Sequence, residues 1–275
     1  MIYKIIENKY PNATLITLEG GYTNRTVMIK DINLSLVAKI YSEHGNAPSE
    51  VKALTMLKNL SITPCIYESF EHDSSWCVIM DYLPGTVGQR YLDNNDMVKS
   101  YDIYKQLGIH LANDIHSICL DNSVALPVLE LVSPNIDSIV PKNLLNETMS
   151  ALDVNFPDII SLVHGDFGPQ NIIINQRDIK IVDWEFAAWG NPIYDIAWVV
   201  WFVHLHYPYL CKELSKIFLN EYLTYANIKI DQALIKAFAV SRVVFILSLI
   251  SKDNIESRTE WIRRLTWTLK TDFTV

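Results

Sequence analysis

The spacing of apolar residues changes near residue 85, and this change most constrains the fold. Before it, short apolar runs rich in Val, Ile, Thr and Tyr alternate with turns, a pattern typical of antiparallel strands. The runs are Ala13–Leu18, Tyr22–Lys30, Ser35–Tyr41, Ile66–Glu71 and Trp76–Tyr82. One helix interrupts them, opened by Pro48-Ser49-Glu50. Residues 1–83 are therefore predicted to form a small antiparallel sheet with one helix, and Leu83-Pro84-Gly85 a linker.

Beyond the linker the apolar spacing becomes helical. An amphipathic stripe runs through Met97–Cys119 and predicts a long helix there. Further helices are predicted at Leu144–Leu152, Ile193–His206, Leu210–Tyr225, Gln232–Ile250 and Glu256–Lys270. We therefore expect an α+β chain with two lobes, a small N-terminal lobe (residues 1–83) and a larger, mainly helical C-terminal lobe (residues 84–275).

Composition excludes several classes of partner. With 49% apolar residues among 275, the chain can build a sizeable core. A formal net charge of −8 argues against a nucleic-acid binder and is compatible with a cationic substrate. The two most apolar helices carry Asp195 in one and Lys236 and Arg242 in the other, which disfavours a membrane span. The four scattered cysteines show no zinc spacing. We expect a cytoplasmic monomer or weak dimer.

The chemistry-bearing residues concentrate around a predicted hairpin. Two apolar runs, Ile172–Ile174 and Ile179–Val182, flank a polar turn. Asn171 precedes the first run and Asp183 follows the second, so the hairpin brings them side by side, while Asp166 lies five residues before Asn171. Carboxylate and amide oxygens suit Mg²⁺, and a remaining carboxylate can deprotonate a hydroxyl nucleophile. Phosphoryl transfer requires this combination.

At this point the sequence resembles a known family. H-G-D-x-x-x-x-N at His164–Asn171, then I-V-D-W-E, then G-N-P-x-x-D-I-A at Gly190–Ala197, is similar to the aminoglycoside phosphotransferase and choline kinase family, which has the protein-kinase-like fold. The resemblance implies a phosphotransferase that uses ATP or GTP with Mg²⁺.

The resemblance also implies individual roles in this segment. It makes Asp166 the catalytic base and makes Asn171 and Asp183 the magnesium ligands. By the same likeness Asp195 braces the loop that carries the base, without taking part in the chemistry.

For the N-terminal lobe, the resemblance assigns a cation to the nucleotide phosphates. Lys39, inside the third predicted strand, would be that cation, with Glu50 as its partner. Two alternatives stay open, because Glu43 could pair with Lys39 instead and Glu50 could simply be a first-turn acid favoured by the helix dipole. Thr23 and Asn24 are candidate phosphate contacts in the turn after Gly20-Gly21, and an ordinary hairpin turn is the alternative.

The run Val78–Leu83 resembles the segment between the lobes of this fold. That likeness implies that the main chain of Asp81 and of Leu83 binds the nucleotide base.

The departures from protein kinases favour a small-molecule acceptor. Gly165 stands where H-R-D has Arg, and Trp184-Glu185 stand where D-F-G has Phe-Gly. An aminoglycoside-like, cationic acceptor is expected, held by carboxylates of the C-terminal lobe. The acidic candidates are Glu185, Glu213, Glu221, Asp253, Glu256 and Glu260.

Two alternatives remain. A choline or ethanolamine-type acceptor, or a hydroxy-amino acid, would also fit the fold. The aromatic residues Trp184, Trp189, Tyr194, Trp198 and Trp201 could face a quaternary ammonium group, although their helical spacing favours core packing. A catalytically silent nucleotide-binding pseudokinase is disfavoured, because the expected lysine, base and metal ligands are all present.

Overall fold

The structure is a computed structural model that describes residues 2–18, 24–32, 34–41, 45–176 and 178–274. The chain divides into two compact units. We call them the N-terminal unit (Met1–Val87, Ser123–Leu126 and Asn171–Ala187) and the C-terminal unit (Gly88–Asn122, Pro127–Gln170 and Ala188–Val275).

The elements are as follows. The strands are β1 (Thr14–Leu18), β2 (Arg25–Lys30), β3 (Ser35–Ile40), β4 (Ile66–His72), β5 (Ser75–Asp81), β6 (Thr86–Val87), β7 (Ser161–Val163), β8 (Ile172–Asn175), β9 (Asp178–Ile181) and β10 (Ala188–Gly190). The helices are α1 (Ile2–Lys9), α2 (Ala47–Met56), α3 (Gln89–Asp93), α4 (Met97–His110), α5 (Ile136–Ile139), α6 (Lys142–Leu152), α7 (Ile193–His206), α8 (Cys211–Tyr225), α9 (Gln232–Leu249) and α10 (Ile255–Lys270).

The N-terminal unit is built on a five-stranded antiparallel sheet in the order β1-β2-β3-β5-β4. The five strands expected from sequence are all present. Burial alternates along β2 and β4, which turns one face towards the core, whereas four successive residues of β5 are buried. Strand β3 is central, and its Lys39 stands opposite Thr26 of β2 and Val78 of β5.

The unit also contains a helix that the sequence pattern did not predict. Helix α1 has eight residues and buries Ile2 and Ile6 against one face of the sheet, beside Val27 and Ile29. Two buried residues one helical turn apart are too short a stripe to be recognised by periodicity. The expected single helix is α2, whose cap is Asn46, with its side chain accepting the Ser49 N–H at 3.2 Å.

The predicted hairpin forms, but it joins the N-terminal unit, whereas the sequence placed it in residues 84–275. Strands β8 and β9 pair from Ile172↔Ile181 to Asn175↔Asp178. Strand β6 adds to β8 through Thr86↔Ile174. The residues just after the hairpin pack on α2. Strand pairing across such a long sequence separation is what assigns residues 171–187 to this unit.

The C-terminal unit is mainly helical, as expected. Helix α4 packs along α8, and α7 packs along α9. The predicted helix Met97–Cys119 is shorter in the structure, because α4 ends at His110 and a π-helical turn, Leu111–Ile115, follows. That turn is closed by the His116 N–H donating to the Leu111 carbonyl at 2.8 Å. Such turns inside helices are frequent at functional sites.

Helix α9 is apolar and long enough to cross a membrane by length and composition alone. In the structure most of its residues are buried inside the C-terminal unit, including Leu234 and Phe238. It therefore has the place of a core helix, as its charged residues Lys236 and Arg242 led us to expect.

Gly108 lies where α4 approaches α8 closely. A Cβ at this position would lie 2.5 Å from the Phe218 carbonyl oxygen and 3.0 Å from the Tyr222 nitrogen. We expect Gly108→Ala to lower the free energy of unfolding by about 1–3 kcal/mol, because the clash with backbone outweighs the gain in helix propensity. Chemical denaturation measures it, with Asn220→Ala on the exposed face of α8 as the control. A stability at or above that of the wild type would contradict the close approach.

Candidate active site

Lys39 is the centre of a charged network in the N-terminal unit. Its Nζ lies 2.6 Å from Glu50 Oε2 and 2.6 Å from Asp183 Oδ1. Burial by itself would lower the pKa of this ammonium, but the charges of Glu50, Asp183 and Glu185 outweigh it and raise the pKa above the ordinary value. Lys39 is therefore positively charged at every physiological pH.

Glu50 accepts hydrogen bonds from three directions. Besides Lys39, the Tyr41 hydroxyl donates to Oε2, and the Trp184 backbone N–H donates to Oε1 at 3.3 Å. Glu50 is almost fully buried, so these donors compensate for its lost hydration. The structure thus pairs Lys39 with Glu50, while Glu43 lies outside the described residues.

Sequence reasoning did not identify Tyr41 as part of this network. A usable signal existed, since Tyr41 follows Lys39 by two positions in the predicted strand Ser35–Tyr41, and residues two apart in a strand point to the same face. Burial and the bond to Glu50 raise the pKa of the Tyr41 hydroxyl well above its usual range, so it stays a donor.

Asn171 and Asp183 lie side by side at the open end of the hairpin. The Val182 N–H donates to the Asn171 carbonyl at 2.9 Å, one residue before Asp183. The Asp183 backbone is left-handed (φ 67°), which turns the chain sharply after the hairpin. Asn171 is buried, whereas the Asp183 side chain is 38% exposed.

This pair of side chains suits Mg²⁺. One carboxylate and one amide oxygen are the sparse protein ligands that magnesium takes when phosphates and waters complete its shell. The described residues include no cluster of three or more His, Cys, Asp or Glu side chains that could hold a metal ion.

Glu185 does not offer its carboxylate to solvent. It is 3% exposed, and Asn24 Nδ2 donates to its Oε2 at 2.7 Å. Burial raises the pKa of Glu185, with the charges of Asp183 and Glu50 adding to the effect and Lys39 and Asn24 opposing it. Glu185 is therefore a buried residue of the N-terminal unit. Thr23, a predicted phosphate contact, lies outside the described residues.

The segment predicted to bind the nucleotide base begins at Asp81, the last residue of β5. The Asp81 N–H donates to the Cys65 carbonyl at 3.1 Å, so it is already used within the unit. The Asp81 carboxylate accepts from the Cys65 N–H and from the Tyr67 hydroxyl, both at 2.8 Å. Leu83 lies two residues beyond β5, outside the ladder. Their contacts to a nucleotide base stay a prediction.

In the C-terminal unit, Asp195 holds the loop that contains Asp166. Its carboxylate accepts the His164 N–H at 2.7 Å and the Gly165 N–H at 2.8 Å, and His116 Nε2 lies at 3.2 Å. Gly165 has φ 80°, a conformation that suits glycine. Burial alone would raise the pKa of Asp195, but the hydrogen bond and charge of His116, with His164, lower it.

Asp166 lies in that loop with its side chain 26% exposed. Trp198 Nε1 donates to Asp166 Oδ1 at 2.8 Å. Arg242 Nη2 lies 3.8 Å from the same oxygen. Sequence reasoning named neither Trp198 nor Arg242 as a partner of Asp166, because α7 and α9 are distant from the loop in sequence.

Most of the proposed acceptor contacts are engaged elsewhere or buried. Glu213 accepts from the Tyr101 hydroxyl at 2.6 Å, and Glu221 pairs with Lys105 at 3.6 Å. Glu260 is bonded to Arg263 and Arg264, each at 2.8 Å. The aromatic side chains proposed for an ammonium group are all buried: Trp184, Trp189, Tyr194, Trp198 and Trp201. Core packing is their main role.

The bonds to Asp195 make stability pH-dependent. Its folded-state pKa is lowered, so it stabilises the fold above the unfolded-state pKa of about 3.8, and this contribution is lost as the pH falls through the folded-state value. We expect Asp195→Asn to lower the free energy of unfolding by about 3 kcal/mol at pH 7. Denaturation at pH 7 and pH 3 measures the difference, which should shrink at pH 3. An equal difference at both pH values would contradict the lowered pKa.

The chain resembles curated proteins and solved structures. Residues 14–226, about three quarters of the chain, match the model of the phosphotransferase enzyme family. Protein LicA of Haemophilus influenzae is 22% identical in an alignment of 237 residues that covers 76% of this chain and 62% of LicA. The LicA homolog of Mycoplasma capricolum is 27% identical over 88 residues, 32% of this chain. The chain thus spans less than two thirds of the first of these relatives.

Among solved structures, the aminoglycoside phosphotransferase APH(4)-Ia aligns with a TM-score of 0.72 at 14% identity, covering 98% of this chain and 97% of that one. The ethanolamine kinase of Plasmodium vivax aligns with a TM-score of 0.69 at 18% identity, covering 97% of this chain and 85% of that one. These alignments confirm the predicted α+β, kinase-like fold. The family match confirms the expected enzyme class, and the chain belongs to the phosphotransferase enzyme family.

Proposed function

We propose that this protein transfers the γ-phosphoryl group of ATP or GTP to a hydroxyl of a small molecule. One observation carries the proposal: the Lys39 ammonium is held by Glu50 and Asp183 at 2.6 Å each. A phosphate-binding cation and a metal-binding carboxylate thus form one network within the N-terminal unit. Phosphoryl transfer depends on positioned charges of this type more than on covalent chemistry by the protein.

In this proposal the N-terminal unit binds the nucleotide. Lys39 contacts the α and β phosphates, and Asn171 and Asp183 hold Mg²⁺, which when bound neutralises charge that develops on the phosphates. The main chain of Leu83 and the carbonyl of Asp81 bind the purine base of the nucleotide. Thr23 is a further proposed contact to the phosphates. Glu50 keeps Lys39 in place without touching the nucleotide.

The C-terminal unit supplies the base. Asp166 takes the proton from the acceptor hydroxyl as that oxygen attacks the γ-phosphorus, and the β–γ bridging oxygen leaves with the nucleoside diphosphate. Asp195 accepts the backbone N–H groups of His164 and Gly165, the two residues before Asp166, and this limits how far Asp166 can move. The presence of all these groups disfavours a pseudokinase.

For the acceptor we propose an aminoglycoside-like, cationic molecule. The support is the formal net charge of −8 together with the exposed Asp253 and Glu256. Neither forms an ion pair with another residue in the described part of the chain. A thermostable mutant of the structurally similar APH(4)-Ia was solved in a ternary complex with AMP-PNP and hygromycin B.

A choline or ethanolamine-type acceptor is the second candidate, and hydroxy-amino acids a third. The fold of an ethanolamine kinase is similar. The burial of the five aromatic side chains weighs against an ammonium cage made by them. The cytoplasmic location and the monomeric or weakly dimeric state remain predictions from sequence.

We expect the wild type to release ADP or GDP in the presence of Mg²⁺ and one acceptor from a panel of hygromycin B and other aminoglycosides, choline, ethanolamine and hydroxy-amino acids. Asp166→Asn should lower kcat by about 10²- to 10⁴-fold, because the general base is lost. Its affinity for Mg²⁺·AMP-PNP, measured by calorimetry, should stay at the wild-type value.

Asp137→Asn, in the exposed first turn of α5, is the matched control for that substitution. Equal activity of wild type and Asp166→Asn would refute the role of the base. If no member of the panel accepts a phosphoryl group, the proposed function is refuted.

Asp183→Asn tests the metal site. The amide cannot replace the carboxylate charge, so we expect half-maximal activity to require at least about 10-fold more Mg²⁺. A magnesium titration of the initial rate measures this, with Asp178→Asn at the start of β9 as the control. An unchanged magnesium requirement would remove Asp183 from the ligand set.

A further inference from the structure

We propose that Trp198 and Arg242 are positioning residues that orient the Asp166 carboxylate and keep it ionised. The inference rests on the proposed function, in which Asp166 is the base. Both residues come from helices of the C-terminal unit, and both approach the same carboxylate oxygen, Oδ1. They act through Asp166 and are not assigned any contact with the nucleotide.

Trp198 is held so that its N–H points at Asp166. The indole is buried in α7 and stacks on Trp201 with ring centroids 4.3 Å apart and planes 8° apart. Trp201 is fixed in turn, because its own N–H donates to the Thr268 hydroxyl at 2.7 Å. A stacked, buried ring can rotate little, so the 2.8 Å bond to Asp166 has a defined direction.

Arg242 brings a permanent positive charge to the same place. It is 5% exposed on the largely apolar α9. Its guanidinium carbon lies 5.5 Å from the centre of the Trp198 ring and 5.0 Å from that of Phe245. Guanidinium groups stack on aromatic rings in this way and are protonated at all physiological pH values. The aromatic rings therefore direct the charge towards Asp166, where Nη2 is 3.8 Å from Oδ1.

These two groups act on the ionisation of the base. A donor bonded to a carboxylate and an opposite charge nearby both favour the ionised form and lower its pKa. Among the described residues of this unit, His164 is a further titratable group beside Asp166: its Nδ1 accepts the Asp166 backbone N–H at 3.2 Å, and its own backbone N–H donates to Asp195. A base must be deprotonated to accept a proton, so Trp198 and Arg242 extend activity to lower pH.

The test compares Trp198→Phe, Arg242→Met and Arg242→Lys with the wild type. Two controls remove similar features from the same helices without contacting Asp166. Tyr194→Phe deletes a hydroxyl of α7 that bonds Ser241 at 3.2 Å, and Lys236→Met deletes a cation of α9 that bonds the Leu269 carbonyl at 3.2 Å. Thermal unfolding establishes that each variant is folded.

The first readout is the pH dependence of kcat and of kcat/KM with Mg²⁺·ATP and the acceptor that the panel identifies. For Trp198→Phe and Arg242→Met we expect the acid limb to move up by about one pH unit or more. The loss of kcat should be small on the plateau of the profile and should reach about 10-fold on the acid limb, below the pKa of the base, with KM for ATP unchanged. Arg242→Lys should restore most of the activity at low pH, because it keeps the charge.

The second readout does not need an acceptor. The side-chain carboxyl carbons of ¹³C-labelled aspartates are titrated by NMR, and the Asp166 signal is assigned by its absence in Asp166→Asn. Its midpoint should rise in Trp198→Phe and in Arg242→Met, and not in the controls. A midpoint unchanged in all variants, or a kcat loss equal at every pH, would overturn the positioning role. If no acceptor reacts, only the proposed function fails, and this titration still decides the inference.

Discussion

The buried ion pair between Lys39 and Glu50 is the interaction on which the N-terminal unit depends most. It joins the central strand β3 to the first turn of α2, and Asp183 extends it to the end of the hairpin. Burying two charges is costly unless their geometry is good and their remaining bonding positions are satisfied. Tyr41 and the Trp184 N–H satisfy Glu50 in this way. The network therefore fixes three segments relative to one another.

In the C-terminal unit, too, a buried charge has its bonding positions satisfied, here by the backbone of a loop. Asp195 is fully buried, and it accepts two successive backbone N–H groups and faces His116. A carboxylate that is bonded on all sides in a low-dielectric interior resists displacement, since any movement leaves a buried charge without a partner. The loop that presents Asp166 is held by electrostatics, with little contribution from regular secondary structure.

Lys39 is surrounded mainly by negatively charged groups, whereas Asp166 is contacted by a positively charged group and a hydrogen-bond donor. Around Lys39, three carboxylates face one cation, and the excess of negative charge is what raises the pKa of the lysine. Around Asp166, a guanidinium and an indole N–H face one carboxylate. Each arrangement favours the charged form of its central group, as a phosphate-binding cation and a general base both require.

The sequence by itself determined the strands, most of the helices and the family, because apolar periodicity and the His164–Asn171 and Gly190–Ala197 motifs are local properties of the chain. The hairpin also predicted that Asn171 lies close to Asp183. The pairing of Lys39 with Glu50 was implied by the family resemblance, whereas the strand and the helix start alone left Glu43 as an alternative partner.

Only the tertiary structure decided the rest. The two apolar residues of α1 are recognisable as core residues only once the sheet that they pack against is known. The hairpin joins the N-terminal unit through the pairing of β6 with β8. Trp198 and Arg242 are 32 residues or more from Asp166 in sequence, and Trp198 shares the helical spacing of a core residue. The direction of a buried indole N–H or guanidinium is set by three-dimensional packing, and no local pattern in the sequence encodes it.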